Sequence, residues 1–239
     1  MLISNLQGFQ SKVFRSLQRN LYLVCLSFML LYVAFFSFIE GANAHPHIFV
    51  DAYLNIKVNN SAVMTSMTQK WIFDPIFSSG VVLDFDKNGD RKLDKDELDE
   101  VSKIIKDSLG EYDYFQSLTK DGVTIPIAAP DFIKAEIIKQ QLVLSFTVTP
   151  VTKTNLEKGH KYNFSLYDPT FYVAVDFAKQ QNLTVTGLPS YCVSNFIRPD
   201  IDKVLSTDYS QQTEDFFNDP QQSFNLALSL ATQLEVLCD

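Results

Sequence analysis

Apolar and polar positions divide the chain into stretches with different periods. Nineteen residues from Leu21 to Ile39 carry no charge, and the twenty before them hold Lys12, Arg15 and Arg19 and no acid. From Ile48 onward, short segments rich in β-branched and aromatic residues show partial period-two alternation, with Gly, Pro, Asn or Asp between them. That pattern marks strands. It predicts them over Ile48–Val58, Ala62–Phe73, Val123–Ile127, Leu142–Thr149, Tyr162–Leu166, Phe171–Phe177 and Leu183–Val185. A helical period shows in two places. Leu98, Val101, Ile105 and Leu109 share a face ahead of Gly110, and Phe224–Leu237 carries Leu226, Leu230, Leu234 and Leu237. A short helix over Pro75–Phe85, holding Gly80, precedes the first of these, and the polar stretch from Thr207 to Gln222 reads as a loop. The expected fold class is mainly β (α+β), with antiparallel sheets or a sandwich, a helical insertion at about residues 75–110 and a C-terminal helix.

The charge-free run changes the reading of the first 44 residues. A basic start, an apolar stretch and the small-x-small site Ala42-Asn43-Ala44 after Gly41 form the layout of a secretory signal peptide, cut between Ala44 and His45. The run also has the length of a membrane-spanning helix, so an uncleaved anchor is the alternative. Cys25 follows Val24 inside the run, where lipid attachment normally wants a small residue, and is not read as a lipid site. After the cut, residues 45–239 form a single periplasmic domain of 195 residues, and only the uncleaved precursor touches the membrane.

Removing a segment of net charge +2 takes the chain from −8 to −10, which argues against nucleic acid as a partner. Two cysteines remain, Cys192 and Cys238. In an oxidising compartment an even pair suggests a disulfide, here one that would tie down the C-terminal helix, with two free thiols as the alternative.

The sharpest local motif is "DKNGDRKLDKDE", Asp86–Glu97, which follows the twelve-residue EF-hand calcium loop. Asp86, Asn88 and Asp90 stand at positions 1, 3 and 5, Lys92 offers its backbone carbonyl at 7, Leu93 is the apolar residue at 8, Asp94 is at 9 and Glu97 at 12. A hard cation needs six to eight oxygens, and Glu97 supplies two of them if a helix starts there. Position 6, normally glycine at positive φ, is Arg91, at a cost of about 1 kcal/mol. No second loop is present to pair with it, so a structural calcium site fits better than a sensor.

"HPHIFVDA" holds two of the three histidines. With the cut after Ala44, the α-amine and ring of His45 can chelate one metal together. Pro46 has no amide proton, which blocks successive amide coordination toward His47. On an extended strand His45, His47, Phe49 and Asp51 point to one side, which nominates His45, His47 and Asp51 for nickel, cobalt, zinc or copper. His160 reads as a turn histidine with no role. No nucleophile elbow, phosphate-cradling glycine loop, HExxH or CxxC pair is present, and the chain is expected not to be an enzyme.

Four stretches in order, "HPHIFVDA" after a signal, "WIFDPIFSSG" at Trp71–Gly80, the acidic loop, and "YDPTFYVAV" at Tyr167–Val175, resemble a bacterial periplasmic family of unknown function. That family is labelled as the periplasmic component of an ABC-type transport system and is often found with nickel/cobalt-type permeases. The resemblance covers about residues 45–190 and implies an inner-membrane metal permease as partner. The matching positions are His45, Pro46, His47 and Asp51, then Trp71, Phe73 and Asp74, the loop acids, and Asp168, Pro169 and Tyr172. Pro75 and Arg91 depart from the family pattern. Asp74 and Asp168 each precede a proline and are expected to cap or turn the chain. The leading expectation is thus a periplasmic metal-binding accessory for transition-metal transport with a structural calcium loop. The alternative is a calcium-stabilised binding or scaffold protein without a transition metal.

Overall fold

The structure, a computed structural model, describes residues 48–208 and 220–239. The expected signal segment, Cys25, His45 and His47 lie outside those residues, as does most of the polar stretch after Thr207.

The alternation in Ile48–Val58 forms β1, which buries Ile48, Val50, Ala52, Leu54, Ile56 and Val58 on one face. It pairs antiparallel with β2 (Val63–Phe73), which pairs on its other side with β7 (Gln141–Pro150) and β8 (Thr154–Asn155). β7 carries β5 (Ile127–Ala128) and β6 (Ile133–Ile138) on its far edge. β10 (Val173–Asp176) and β11 (Leu183–Thr186) complete this eight-stranded sheet along the free side of β1. Both pair with it in parallel. The expectation of an antiparallel sheet therefore fails at this edge, because β10 and β11 follow one another along β1 in its own direction; Asn182, in the connection between them, donates from Nδ2 to Ala52 O (3.1 Å).

A second, five-stranded sheet runs β12 (Cys192–Ile197), β13 (Gln233–Cys238), β9 (His160–Leu166), β3 (Gln116–Lys120) and β4 (Val123–Thr124), all antiparallel. The buried residues of both sheets form one cluster, with Trp71 stacked on Phe115 (6.1 Å between centroids) and edge-on to Phe146 (5.2 Å). Gln69 and Gln116 meet inside it, Gln69 Nε2 donating to Gln116 Oε1 at 3.1 Å. Thus the mainly β architecture with two sheets is present.

Helices α1 (Pro75–Phe85) and α2 (Lys95–Gly110) insert between β2 and β3. After α2 the chain makes a left-handed turn at Asp113, Tyr114 and Phe115 (φ 50°, 56° and 57°), a strained backbone that seats both rings in the core. Among the described residues two further helices, α3 (Ile201–Asp208) and α4 (Pro220–Leu230), follow β12. The predicted C-terminal helix thus stops at Leu230, and the leucines expected to continue it belong to β13, where Leu234 and Val236 are buried against the core. Cys192 and Cys238 form a disulfide with a Cα–Cα separation of 3.9 Å. It joins directly opposed residues of β12 and β13 rather than anchoring a helix.

Candidate functional site: an acidic loop and the start of β1

Each arm of the helical insertion begins at an aspartate cap. Asp74 Oδ1 accepts from the amides of Ile76 and Phe77 (both 2.9 Å), with Pro75 in the first turn of α1 where no amide is needed. Asp94 Oδ1 accepts from Asp96 and Glu97 (2.9 and 3.1 Å), and Glu97 Oε2 returns the favour by accepting from the Asp94 amide (2.8 Å). This capping box fixes the first turn of α2.

Between the helices the acidic loop is closed on itself. Asp86 accepts from the amides of Gly89 (2.7 Å) and Asp90 (3.2 Å) through Oδ1 and of Arg91 (2.7 Å) through Oδ2. Asn88 Oδ1 accepts from Asp90 (2.9 Å), and Asp90 Oδ1 from Lys92 (2.9 Å). Glu97, only 4% exposed, reaches back with Oε1 to the Lys87 amide (2.7 Å). Arg91 has φ 64°, so it adopts the left-handed geometry that position 6 demands without the glycine that adopts it freely. Leu93 packs against the core, and an ion pair between Lys87 and Glu100 straps the loop to α2. Among the described residues no three His, Cys, Asp or Glu side chains converge as a metal-holding group. In the loop the carboxylates are directed at backbone amides instead.

The other motif residues meet at the start of β1. Phe49 donates its amide to Asp74 Oδ2 (3.0 Å) and accepts at its carbonyl from the Asp74 amide (2.9 Å). Burial pushes the Asp74 carboxyl up, but the amides of Phe49, Phe77 and Ile76 outweigh it and hold the group below the ordinary carboxylate range. On the other side of β1, Val173 pairs with Ile48, and its amide donates to Asp168 Oδ2 (2.8 Å). Asp168 is 4% exposed, and its Oδ1 accepts from the amide (2.8 Å) and hydroxyl (2.7 Å) of Thr170. Both proline-preceding aspartates therefore cap or turn the chain, and together they position both neighbours of β1 at its first residues.

Asp51 is exposed on the outward face with Phe49 and Tyr53, as the alternation requires. Its strand is continuous from Ile48, so three residues of rise, about 10 Å, lie between them. Asp74 is the carboxylate nearer the strand's beginning. Asp51 stands in register with Asp176, whose Oδ2 is 3.2 Å from the Arg198 guanidinium. Sequence reasoning missed both residues because the parallel return of β10 is a tertiary event. It also missed the partners of His160, whose Nδ1 lies 2.5 Å from Asp121 Oδ2 across the β3–β4 turn. A groove of about 620 Å³ runs along α2 and β6, lined by Leu98, Ser102, Phe132 and Ala135. Its lysines are engaged, Lys106 with Asp131 O and Lys134 with Glu136.

A family described as "Protein of unknown function (DUF1007)" matches residues 30–238. The chain is also similar to an uncharacterized protein of Haemophilus influenzae (strain ATCC 51907 / DSM 11121 / KW20 / Rd), with 29% identity over 196 residues that cover 79% of this chain and 91% of that relative.

Proposed function

Because the chain belongs to the DUF1007 family of unknown function, we propose its role from its own residues: a periplasmic metal-binding accessory to transition-metal transport, built around a calcium loop. The observation that carries the calcium part is Arg91 at φ 64°, with its amide on Asp86 Oδ2, in a loop that runs into α2, whose first turn holds Glu97. A twelve-residue turn forms here despite the missing glycine. Its donors are hard oxygens: Asp86, Asn88, Asp90 and Glu97 through side chains, Lys92 through its carbonyl, and Asp94 at position 9. That set suits calcium at the weak affinities, about 10⁻⁴–10⁻³ M, of extracellular modules.

The transition-metal part rests on the sequence of the mature end. The α-amine and imidazole of His45 and the imidazole of His47 form a nitrogen-rich set for nickel, cobalt, zinc or copper. Asp51 is the carboxylate nominated by alternation, and Asp74 is the one closer along β1. A permease in the inner membrane is the proposed recipient. The disulfide between Cys192 and Cys238 supports an oxidising compartment. Among the described residues no helix is long and apolar enough to cross a membrane.

The test is the intact mass of the exported protein, measured under native conditions with calcium and then nickel, cobalt, zinc and copper added singly. A chain beginning at His45 that binds one transition ion beyond calcium, and loses it in a His47→Ala variant, upholds the reading. A chain with another start, or one that takes calcium alone, leaves the calcium-stabilised scaffold.

A further inference from the structure

Most sheet edges among the described residues are blunted. β4 and β5 are two residues long, and β6 is covered by α2, with Ser102 Oγ accepting from the Ala135 amide (3.1 Å). β12 differs. It pairs with β13 on one side, and no described strand pairs with the other. Its sequence, Cys-Val-Ser-Asn-Phe-Ile, contains no charge and no proline, the devices by which natural edges discourage pairing. Val193 is 54% and Ile197 39% exposed.

The ladder shows which groups are free. Asp239 donates its amide to Tyr191 O (2.8 Å), while the Cys192 amide turns to Pro189 O (2.9 Å). Hydrogen-bonded and non-hydrogen-bonded pairs alternate in an antiparallel ladder, so Val193, Asn195 and Ile197 bond to β13. Ser194 and Phe196 direct their amides and carbonyls outward. The side chains of Val193, Asn195 and Ile197 share the face away from the core, and that row reads the same in both directions, β-branched, amide, β-branched.

We propose that β12 is a self-association edge, on which two copies of this chain pair antiparallel about a two-fold axis at Asn195. Only that register satisfies both constraints. Ser194 of each copy meets Phe196 of the other as a hydrogen-bonded pair, which uses the four outward groups on each side. Val193 then packs on Ile197 of the second copy, and the two Asn195 side chains face each other across the axis. A six-residue edge falls short of the roughly 1,200 Å² of a standard stable interface, so the dimer is reversible and concentration-dependent.

The test uses the exported protein with its native disulfide intact. Asn195→Cys places two thiols on Cβ atoms about 4.5–5.5 Å apart and crosslinks to itself under mild oxidation. Val193→Cys does not, because its own copy lies four residues, about 13 Å, away. Mixed with Ile197→Cys, it crosslinks. In sedimentation equilibrium the unmodified protein shows a dimer that grows with concentration. Ser194→Pro removes an outward amide but no bond to β13, and it abolishes the dimer while leaving the circular dichroism unchanged. Equal crosslinking of Asn195→Cys and Val193→Cys with themselves overturns the proposal. So does a chain that stays monomeric at every concentration, or an Asn195→Cys variant whose thiol couples to a different protein only.

Discussion

Glu97 has two jobs in this reading, capping α2 and closing the calcium site, and Glu97→Ala separates them. In the structure Oε1 holds the Lys87 amide at 2.7 Å and Oε2 the Asp94 amide at 2.8 Å, and the side chain is 4% exposed. A hydrogen bond to a charged group contributes about 1.5–3 kcal/mol. Lys87 is exposed, so its amide recovers water when the carboxylate is gone. The calcium-free loss is therefore set nearer to one such bond than to two, about 2–3 kcal/mol. For a domain of this size each kcal/mol moves Tm by about 2–4 °C, giving a drop of about 4–12 °C in a chelator. Calcium at about 10 mM acting on a site of Kd about 10⁻⁴–10⁻³ M adds about 1.4–2.7 kcal/mol to the unmodified protein, a rise of about 3–11 °C. Glu97→Ala should show the first loss and none of the calcium gain. The assay is thermal unfolding followed by circular dichroism, in chelator and in calcium, with magnesium as the control ion. If calcium leaves the Tm of the unmodified protein where it was while Glu97→Ala still loses several degrees, Glu97 is a helix cap and nothing more. The calcium assignment then fails.

Two further outcomes follow from packing and titration. A Cβ at Gly187 (φ 79°) would lie 2.0 Å from Val58 O, whereas at Gly159 (φ 80°) it would meet nothing within 4 Å. Gly159→Ala should cost only the left-handed backbone, about 1 kcal/mol, and Gly187→Ala about 3 kcal/mol, because the ends of β1 and β11 must also part; equal urea midpoints for the two variants would refute the steric argument. Burial, reinforced by the charge of Asp113 and opposed by a hydrogen bond with Ser117, pushes the Tyr167 phenol up to about 12. A folded pKa above the unfolded value of about 10 means stability is fully present below pH 10 and falls as pH rises toward 12. Tyr167→Phe should flatten the unfolding profile in that window, and an unchanged slope there would count against the burial of this phenol.

Much of the local structure was legible in sequence because it depends on neighbours a few residues away. The alternation of Ile48–Val58 matches β1 to the residue, and Pro75–Phe85 is α1 with Asp74 as its cap. The acidic loop could be numbered position by position, including the demand for positive φ that Arg91 meets. The C-terminus misled because Leu226, Leu230, Leu234 and Leu237 fit a helical period, while Leu234 and Val236 fit a strand's alternation equally well. Packing beside β9 chose between them. Short segments such as Gln116–Lys120 and Ile133–Ile138 carry too few residues to show a period, and pairing with β9 and β7 makes them strands.

By itself, then, the sequence determined the mainly β class, the two-helix insertion with its acidic loop, and the chemistry available at His45, His47 and Asp86–Glu97. Those properties follow from residue type and short-range spacing. Only the tertiary structure decided that β10 and β11 return parallel to β1, that Asp74 and Asp168 position both sides of its first residues, and that Cys192 opposes Cys238 across two strands. It also decided that β12 ends its sheet with an uncharged edge. The reason is physical: a period along the chain says which face of a segment is apolar, but which segment covers that face depends on contacts between residues more than a hundred positions apart, such as Ala52 with Asn182.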